Sequence, residues 1–287
     1  MKVNPGLYQA AGKLNFLVLV LLMPAIISCH RGAGRNDNND EMVQIQNATF
    51  DSGAITRGDS TIKTISLVFT GDMYAEGGAH IIEILEKHNI RGSFFFTGNF
   101  YRNPQFRELV KKLYREGHYL GPHSDRHLLY CDWENREKLL ITEDEFKKDI
   151  ADNLDEMAKF GIKKEEAPVF LPPYEWYNKT ISRWSEDNGL ILINYTPGTL
   201  SHADYTTPDM ASYKDSRTIL ESIYNFSSSN LSGLNGFILL SHIGAGPERK
   251  DKFYLHLDGL ISELQKDGYS FCRIDSLPGL RTLLNFR

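Results

Sequence analysis

The 287 residues combine 41% hydrophobic with 24% charged side chains and carry a net charge of -5. A large buried core is possible, while the basic footprint of a nucleic-acid binder and any polyacidic tail are absent, which points to neutral molecules as partners. The three cysteines allow at most one disulfide.

Lys2 and Lys13 precede an apolar run from Leu14 to Ile27, closed by Ser28 and Cys29. The run is short for a membrane-spanning helix and reads as an export signal over residues 1–28. A cysteine directly after it resembles the lipobox of bacterial lipoproteins, with Ile26 where leucine is usual. That resemblance implies cleavage before Cys29, lipidation of Cys29, and a place in the bacterial cell envelope, lipid-anchored to a membrane. An uncleaved anchor with an incidental cysteine is the other reading, and it too puts the chain outside the cytoplasm. Residues 29–60 hold few large apolar side chains and are expected to form a flexible tether, leaving 61–287 as the domain. With Cys29 lipidated, Cys131 and Cys272 are expected as free thiols.

From Thr61 onward, β-branched or aromatic runs alternate with amphipathic ones. The pattern predicts strands over 65–70, 92–97, 119–122, 168–171, 190–195, 237–242 and 270–274. Between them it predicts helices over 78–88, 105–116, 143–159, 179–188, 216–224 and 252–266. Repeated strand, helix, strand units imply parallel pairing through crossovers. The fold class is therefore α/β, a barrel or a doubly wound sheet, and seven strands favour an open or irregular barrel.

Residues able to do chemistry gather after the carboxyl ends of these strands, where α/β folds place their sites. Asp72 follows the first strand. His123 and His127 can face one ion if the backbone between them makes a helical turn. Two imidazoles and a carboxylate with open positions suit a hydrolytic metal site. Pro172-Pro173-Tyr174 follows the fourth strand and His242 closes the sixth. A lone histidine in that position is ordinarily structural; the edge it shares with the metal candidates marks it as catalytic. Trp176, Tyr177, Tyr174, Tyr130 and Trp133 lie in loops of the same edge. Tyr174 and Trp176 are expected to contact a sugar ring and the others to pack.

Together these motifs resemble the NodB-type polysaccharide deacetylases, carbohydrate esterase family 4, over about Thr61 to Leu277. The shared order is an aspartate after the first strand, a His-Ser/Thr-x-x-His motif, an aromatic Pro-rich motif, and a Leu-x-His motif, here Leu240-Ser241-His242. The resemblance implies a distorted (β/α) barrel and a divalent metal, often zinc, on Asp72, His123 and His127. It implies removal of an acetyl group from an amino sugar or acetylated polysaccharide, as amide or O-acetyl ester. It also implies that the backbone N–H at Tyr174 helps stabilise the oxyanion and that His242 protonates the leaving group, a task suited to a group titrating near neutrality.

Two departures stand out. Where the family has Thr-Phe-Asp-Asp-Gly, this chain has Phe69-Thr70-Gly71-Asp72-Met73, which puts Gly71 at the position of the base. The arginine that holds the base is replaced by Leu171. Joint loss fits a remodelled site, since an arginine left without its carboxylate would be a costly buried charge. The Asp-x-x-Asp-Trp motif is not recognisable around residues 194–197, which leaves the partner of His242 open. Glu76 or Asp125 could take over as base, or the metal could act alone. The alternative function is a catalytically impaired surface lipoprotein that binds glycans. No feature names a protein partner.

Overall fold

The run Ile65 to Phe69 becomes a central strand because both of its faces are covered, and a strand buried on both faces can be apolar throughout. The computed structural model describes residues 47–285. Its elements in chain order are β1 (Thr49–Asp51), β2 (Ala54–Arg57), β3 (Thr64–Gly71), α1 (Gly78–Lys87), β4 (Ser93–Phe96), α2 (Gly98–Arg102), α3 (Arg107–Arg115) and β5 (Tyr119–Pro122). They continue as α4 (Glu143–Ala158), β6 (Val169–Phe170), α5 (Lys179–Asp187), β7 (Ile191–Leu192), α6 (Ser216–Ser229), β8 (Phe237–His242), α7 (Leu257–Lys266), β9 (Ser270–Phe271) and α8 (Leu280–Asn285). Every predicted strand and helix is present, most of them shorter at the ends. Short helical turns at Pro104–Phe106 and Phe253–His256 take the first residues of two predicted helices, while α6 runs longer than expected.

Strands β5, β4, β3 and β8 form a parallel sheet in that order, with β9 pairing to the start of β3. Alternation along β3 sends Leu67 and Phe69 outward against Ile81, Ile82 and Leu85 of α1, and Val68 inward with Phe95, Tyr119, Ile238 and Leu240. The fold is thus α/β with helices outside a parallel sheet, as expected. The ladder, however, is not continuous around a barrel. Among the described strands, β6 and β7 pair only with each other.

Two seams join the parts. At the first, the Leu171 N–H donates to Pro122 O (3.3 Å), and the Tyr119 hydroxyl accepts from Val169 N–H (2.8 Å) and donates to Val169 O (3.2 Å). The second seam, between β7 and β8, is filled by β2. The Asn194 N–H donates to Ile55 O (2.9 Å), and the Thr196 N–H donates to Ile238 O (3.0 Å). The Thr196 hydroxyl accepts from Ile238 N–H (2.9 Å) and donates to Thr56 O (2.5 Å).

This corrects the expected tether. Within 47–60, Ala54, Ile55, Thr56 and Asp59 are buried, and Ile55 belongs to the inner cluster, so the domain begins by Thr49 rather than at residue 61. Low hydrophobic content hid the segment because only a few side chains face the seam. The readings at residues 1–28 and Cys29 lie outside the described residues. No described helix is long and apolar enough to cross a membrane, and Cys131 and Cys272 are both free thiols.

Thr196→Val keeps the shape and deletes the bridging hydroxyl, leaving the buried Ile238 N–H and Thr56 carbonyl each short of a partner. We expect a loss of about 1–3 kcal/mol in urea unfolding, the cost of unsatisfied buried groups; an unchanged midpoint would show that the seam does not depend on this side chain.

Candidate active site

Parallel strands deliver their carboxyl ends to one edge, and there a cavity of about 1050 Å³ opens. Asp72, His123, His127, Tyr174 and His242 all line it, joined by Thr70, Trp133 and Glu175.

The histidine pair is not carried by a helical turn, which corrects the sequence-based picture. Residues 123–127 form a bend in which Ser124 (φ 77°) and His127 (φ 55°) take left-handed backbone. The ring centroids stand 5.2 Å apart. The bend is held by Asp149 and Asn153, one turn apart on the buried face of α4. The Asn153 Oδ1 accepts the His123 N–H (2.9 Å), and its Nδ2 donates to Phe96 O (3.2 Å). Asp149 accepts from the Asp125 N–H (3.2 Å), the Arg126 N–H (3.3 Å) and the Tyr130 hydroxyl (2.6 Å).

The His123 Nδ1 lies 2.8 Å from Leu171 O. A carbonyl only accepts, so Nδ1 carries the proton and Nε2 keeps its lone pair, the arrangement that orients a ligand imidazole. Burial pushes the pKa of both histidines down, that of His127 to about 4, and a charge on His127 would further oppose protonation of His123. Both are therefore neutral donors at neutral pH. The Asp72 Oδ1 accepts from the Thr97 hydroxyl (2.6 Å) and the Asn99 amide (3.4 Å). Two neutral imidazoles and a carboxylate are a donor set that fits a divalent cation. Among the described residues, no three such groups converge closely enough to enclose one ion, Asp72 being turned to Thr97 and Asn99.

Beside this group, Asp204 supplies the partner of His242 that no sequence motif revealed. It sits in the turn Ser201–Tyr205, buried, and its carboxylate accepts the His242 Nδ1–H (2.6 Å) and backbone N–H (2.9 Å). Burial pushes the His242 pKa down, but the Asp204 charge and hydrogen bond, helped by Glu175, carry it above its ordinary value. An imidazole so placed can hold a proton at neutral pH and present Nε2 to the cavity.

A family model for polysaccharide deacetylase matches residues 57–193. Residues 57–193, just under half of the chain, thus form a polysaccharide deacetylase domain. The chain is 26% identical over 217 residues to a peptidoglycan-N-acetylglucosamine deacetylase of Bacillus cereus, covering 75% of this chain and 88% of that one. It is 23% identical over 220 residues to the peptidoglycan-N-acetylmuramic acid deacetylase PdaA of Bacillus subtilis, covering 77% of this chain and 73% of that one. Its fold is similar to that of a CE4 family pseudoenzyme from Bacillus anthracis, with a TM-score of 0.61 at 18% identity, over 79% of this chain and 69% of that chain.

The absence of a carboxylate at position 71 has a structural explanation. A Cβ at Gly71 would point into the outer layer, 2.8 Å from Ile243 Cγ2 and 3.0 Å from rings of Phe96 and Phe100. Only the Gly71 backbone reaches the cavity, and a carboxylate here would be wedged between phenyl rings. Thr70 faces inward instead, in register with His242 on β8, and its buried hydroxyl has no partner among the described residues. Leu171 packs in the apolar interior and serves the site through its carbonyl on His123.

Neither proposed replacement is placed to be the base. Glu76 accepts from Lys252 Nζ (2.6 Å) and the Ala245 N–H (2.9 Å). Asp125 turns toward α2, where Arg102 Nη1 donates to it (2.6 Å) over the bare backbone of Gly98. Sequence proximity to the ligands misled in both cases, because the bend and the strand end turn these neighbours away. Among the aromatics, Tyr130 and Tyr177 are fully buried, as expected of packing residues. Tyr174 is 43% exposed and its ring lies 4.3 Å from that of His127. Trp176 does not line the cavity; its Nε1 donates to Asp132 O (3.2 Å) and its ring backs Trp133 at 5.7 Å. Of the two tryptophans, it is Trp133, expected to pack, that is exposed at the cavity, at 56%.

Asp204→Asn keeps the shape and removes the charge that favours the His242 imidazolium, so the histidine pKa should fall. Nuclear magnetic resonance titration of the His242 ring checks this, and an unmoved midpoint would mean that Asp204 does not set it.

Proposed function

We propose that this chain is a metal-dependent hydrolase that removes acetyl groups from an amino sugar or acetylated polysaccharide. The observation that carries the reading is the His242–Asp204 pair facing the same cavity as the two neutral imidazoles and Asp72. Glycan capture needs no proton donor, whereas expulsion of an amine does.

Asp72, His123 and His127 would hold a divalent cation, for which zinc suits the ligand types; when bound, it supplies Lewis-acid polarisation of the acyl carbonyl. The chain's own groups do the rest. Trp133 and Tyr174 offer ring faces at the mouth, broad apolar surfaces with polar edges on which a sugar can lie. The oxyanion is assigned to the backbone N–H at Tyr174. His242 gives its proton to the leaving nitrogen or oxygen, and Asp204 fixes the tautomer that makes this possible. The two sequence relatives named above, from Bacillus cereus and Bacillus subtilis, are deacetylases, which supports the reaction class. We also infer that Cys29 is lipidated and that the chain works in the cell envelope, where acetylated glycans lie within reach of a tethered domain.

Acetate release from N-acetylated chitooligosaccharides and acetylated xylan, with zinc supplied, tests the reading. Chelation should abolish release and zinc should restore it, while His123→Ala should lower bound zinc in the protein itself. His242→Ala should cut kcat about a hundredfold or more, the scale of a positioned acid. No acetate from any substrate, with glycan binding retained under chelation, would replace the hydrolase by the glycan-binding alternative. Trp133→Ala should raise KM about three- to tenfold, the worth of one ring contact, with kcat little changed.

A further inference from the structure

Hydrolysis as proposed above needs a group to take a proton from the attacking water, and position 71 cannot house one. Glu76 and Asp125 are engaged elsewhere, so the acceptor must be sought in the cavity wall. The carboxylates lining the cavity are Asp72, Glu175, Asp209 and Glu248. Asp209 and Glu248 stand exposed on mouth loops, and Asp72 belongs to the metal donor set. Glu175 is half-buried, and among the described residues no hydrogen bond or ion pair engages its carboxylate.

The backbone that presents it is unusual. Tyr174 (φ 59°) and Glu175 (φ 54°) are consecutive non-glycine residues in the left-handed region, a conformation that persists only where surroundings enforce it. Here the Glu175 N–H donates to Pro172 O (3.1 Å) and the Trp176 N–H to Pro173 O (3.3 Å), while Asn194 Nδ2 donates to Glu175 O (2.9 Å). The turn brings the Glu175 side chain to the cavity and within electrostatic reach of His242 at the end of β8, Asp204 and Tyr205 in the turn before α6, and Tyr195 after β7.

We propose that Glu175 is the proton acceptor that activates the attacking water, filling from the loop after β6 the role that position 71 cannot. The assignment rests on the hydrolase reading. A water O–H bond breaks and its proton passes to the Glu175 carboxylate as the oxygen bonds to the acyl carbon, the carbonyl π pair moving onto its oxygen. That pair then returns, the bond from carbon to the leaving atom breaks, and the leaving atom takes the proton of the His242 imidazolium. Glu175 passes its proton to His242, so one water is consumed and both groups are restored. Burial raises the Glu175 pKa to about 7, opposed by the His242 charge and aided by Asp204, which suits a base working near neutrality.

The test compares wild type, Glu175→Gln and Glu175→Ala, each zinc-loaded and checked for an unchanged melting temperature, with N-acetylated chitooligosaccharides. Because the base acts ionised, wild-type kcat should rise as pH increases through about 7. Glu175→Gln should lower kcat about a hundredfold or more at similar KM and lose that acidic limb. Added formate should restore part of the Glu175→Ala activity, which a merely structural role would not allow. If either variant melts early, formate rescue of the folded fraction still decides the matter. Full activity with the acidic limb intact in Glu175→Gln, or no rescue by formate, would overturn the assignment while leaving the hydrolase reading standing. No acetate from wild type on any substrate would overturn both.

Discussion

Thr196 is where the inner core is closed. Through its N–H and hydroxyl it ties β2 to β8 across a gap that no β-ladder spans. The interior behind it is built from Val68, Phe95, Leu171, Ile193, Ile238 and Leu240, side chains that stabilise the fold only while water is excluded. A seam in a parallel barrel exposes backbone donors and acceptors, and a polar side chain with both functions satisfies two strands at once.

The chemistry of the edge follows from the same need to satisfy buried polar groups. Two histidines of the candidate site have one ring nitrogen committed to a fixed partner: His123 to the Leu171 carbonyl and His242 to Asp204. Partner identity decides function. A carbonyl leaves a buried imidazole neutral, because desolvation dominates, and so fit to donate a lone pair. A carboxylate offsets desolvation and keeps the imidazole able to carry a proton. Two histidines on one edge thus differ in whether they can carry a proton at neutral pH.

Much of this was legible in the sequence. The strand positions were readable because runs buried on both faces must be apolar, and the edge that carries Asp72, His123, His127 and His242 followed from parallel topology. What escaped notice has local reasons. Strand β2 exposes too little apolar surface to signal burial, and its role depends on a gap left by distant strands. Asp149 and Asn153 occupy the apolar stripe of α4, a signal present in the periodicity but meaningful only beside the bend they hold. Asp204 lies in a turn with no motif around it. Trp133 and Trp176 exchanged their expected roles because stacking order at a rim is a matter of three-dimensional layering.

The sequence by itself determined the α/β class, the resemblance to polysaccharide deacetylases, the edge that bears the site and the absence of a carboxylate at position 71, because residue identity and periodicity encode burial directly. The tertiary structure alone decided that position 71 faces phenyl rings, that Glu76 and Asp125 are tied to cations, that Asp204 serves His242, and that Glu175 stands in the wall with no partner among the described residues. These depend on direction. A residue's direction is set by strand twist, left-handed turns and neighbours far along the chain, none of which spacing records.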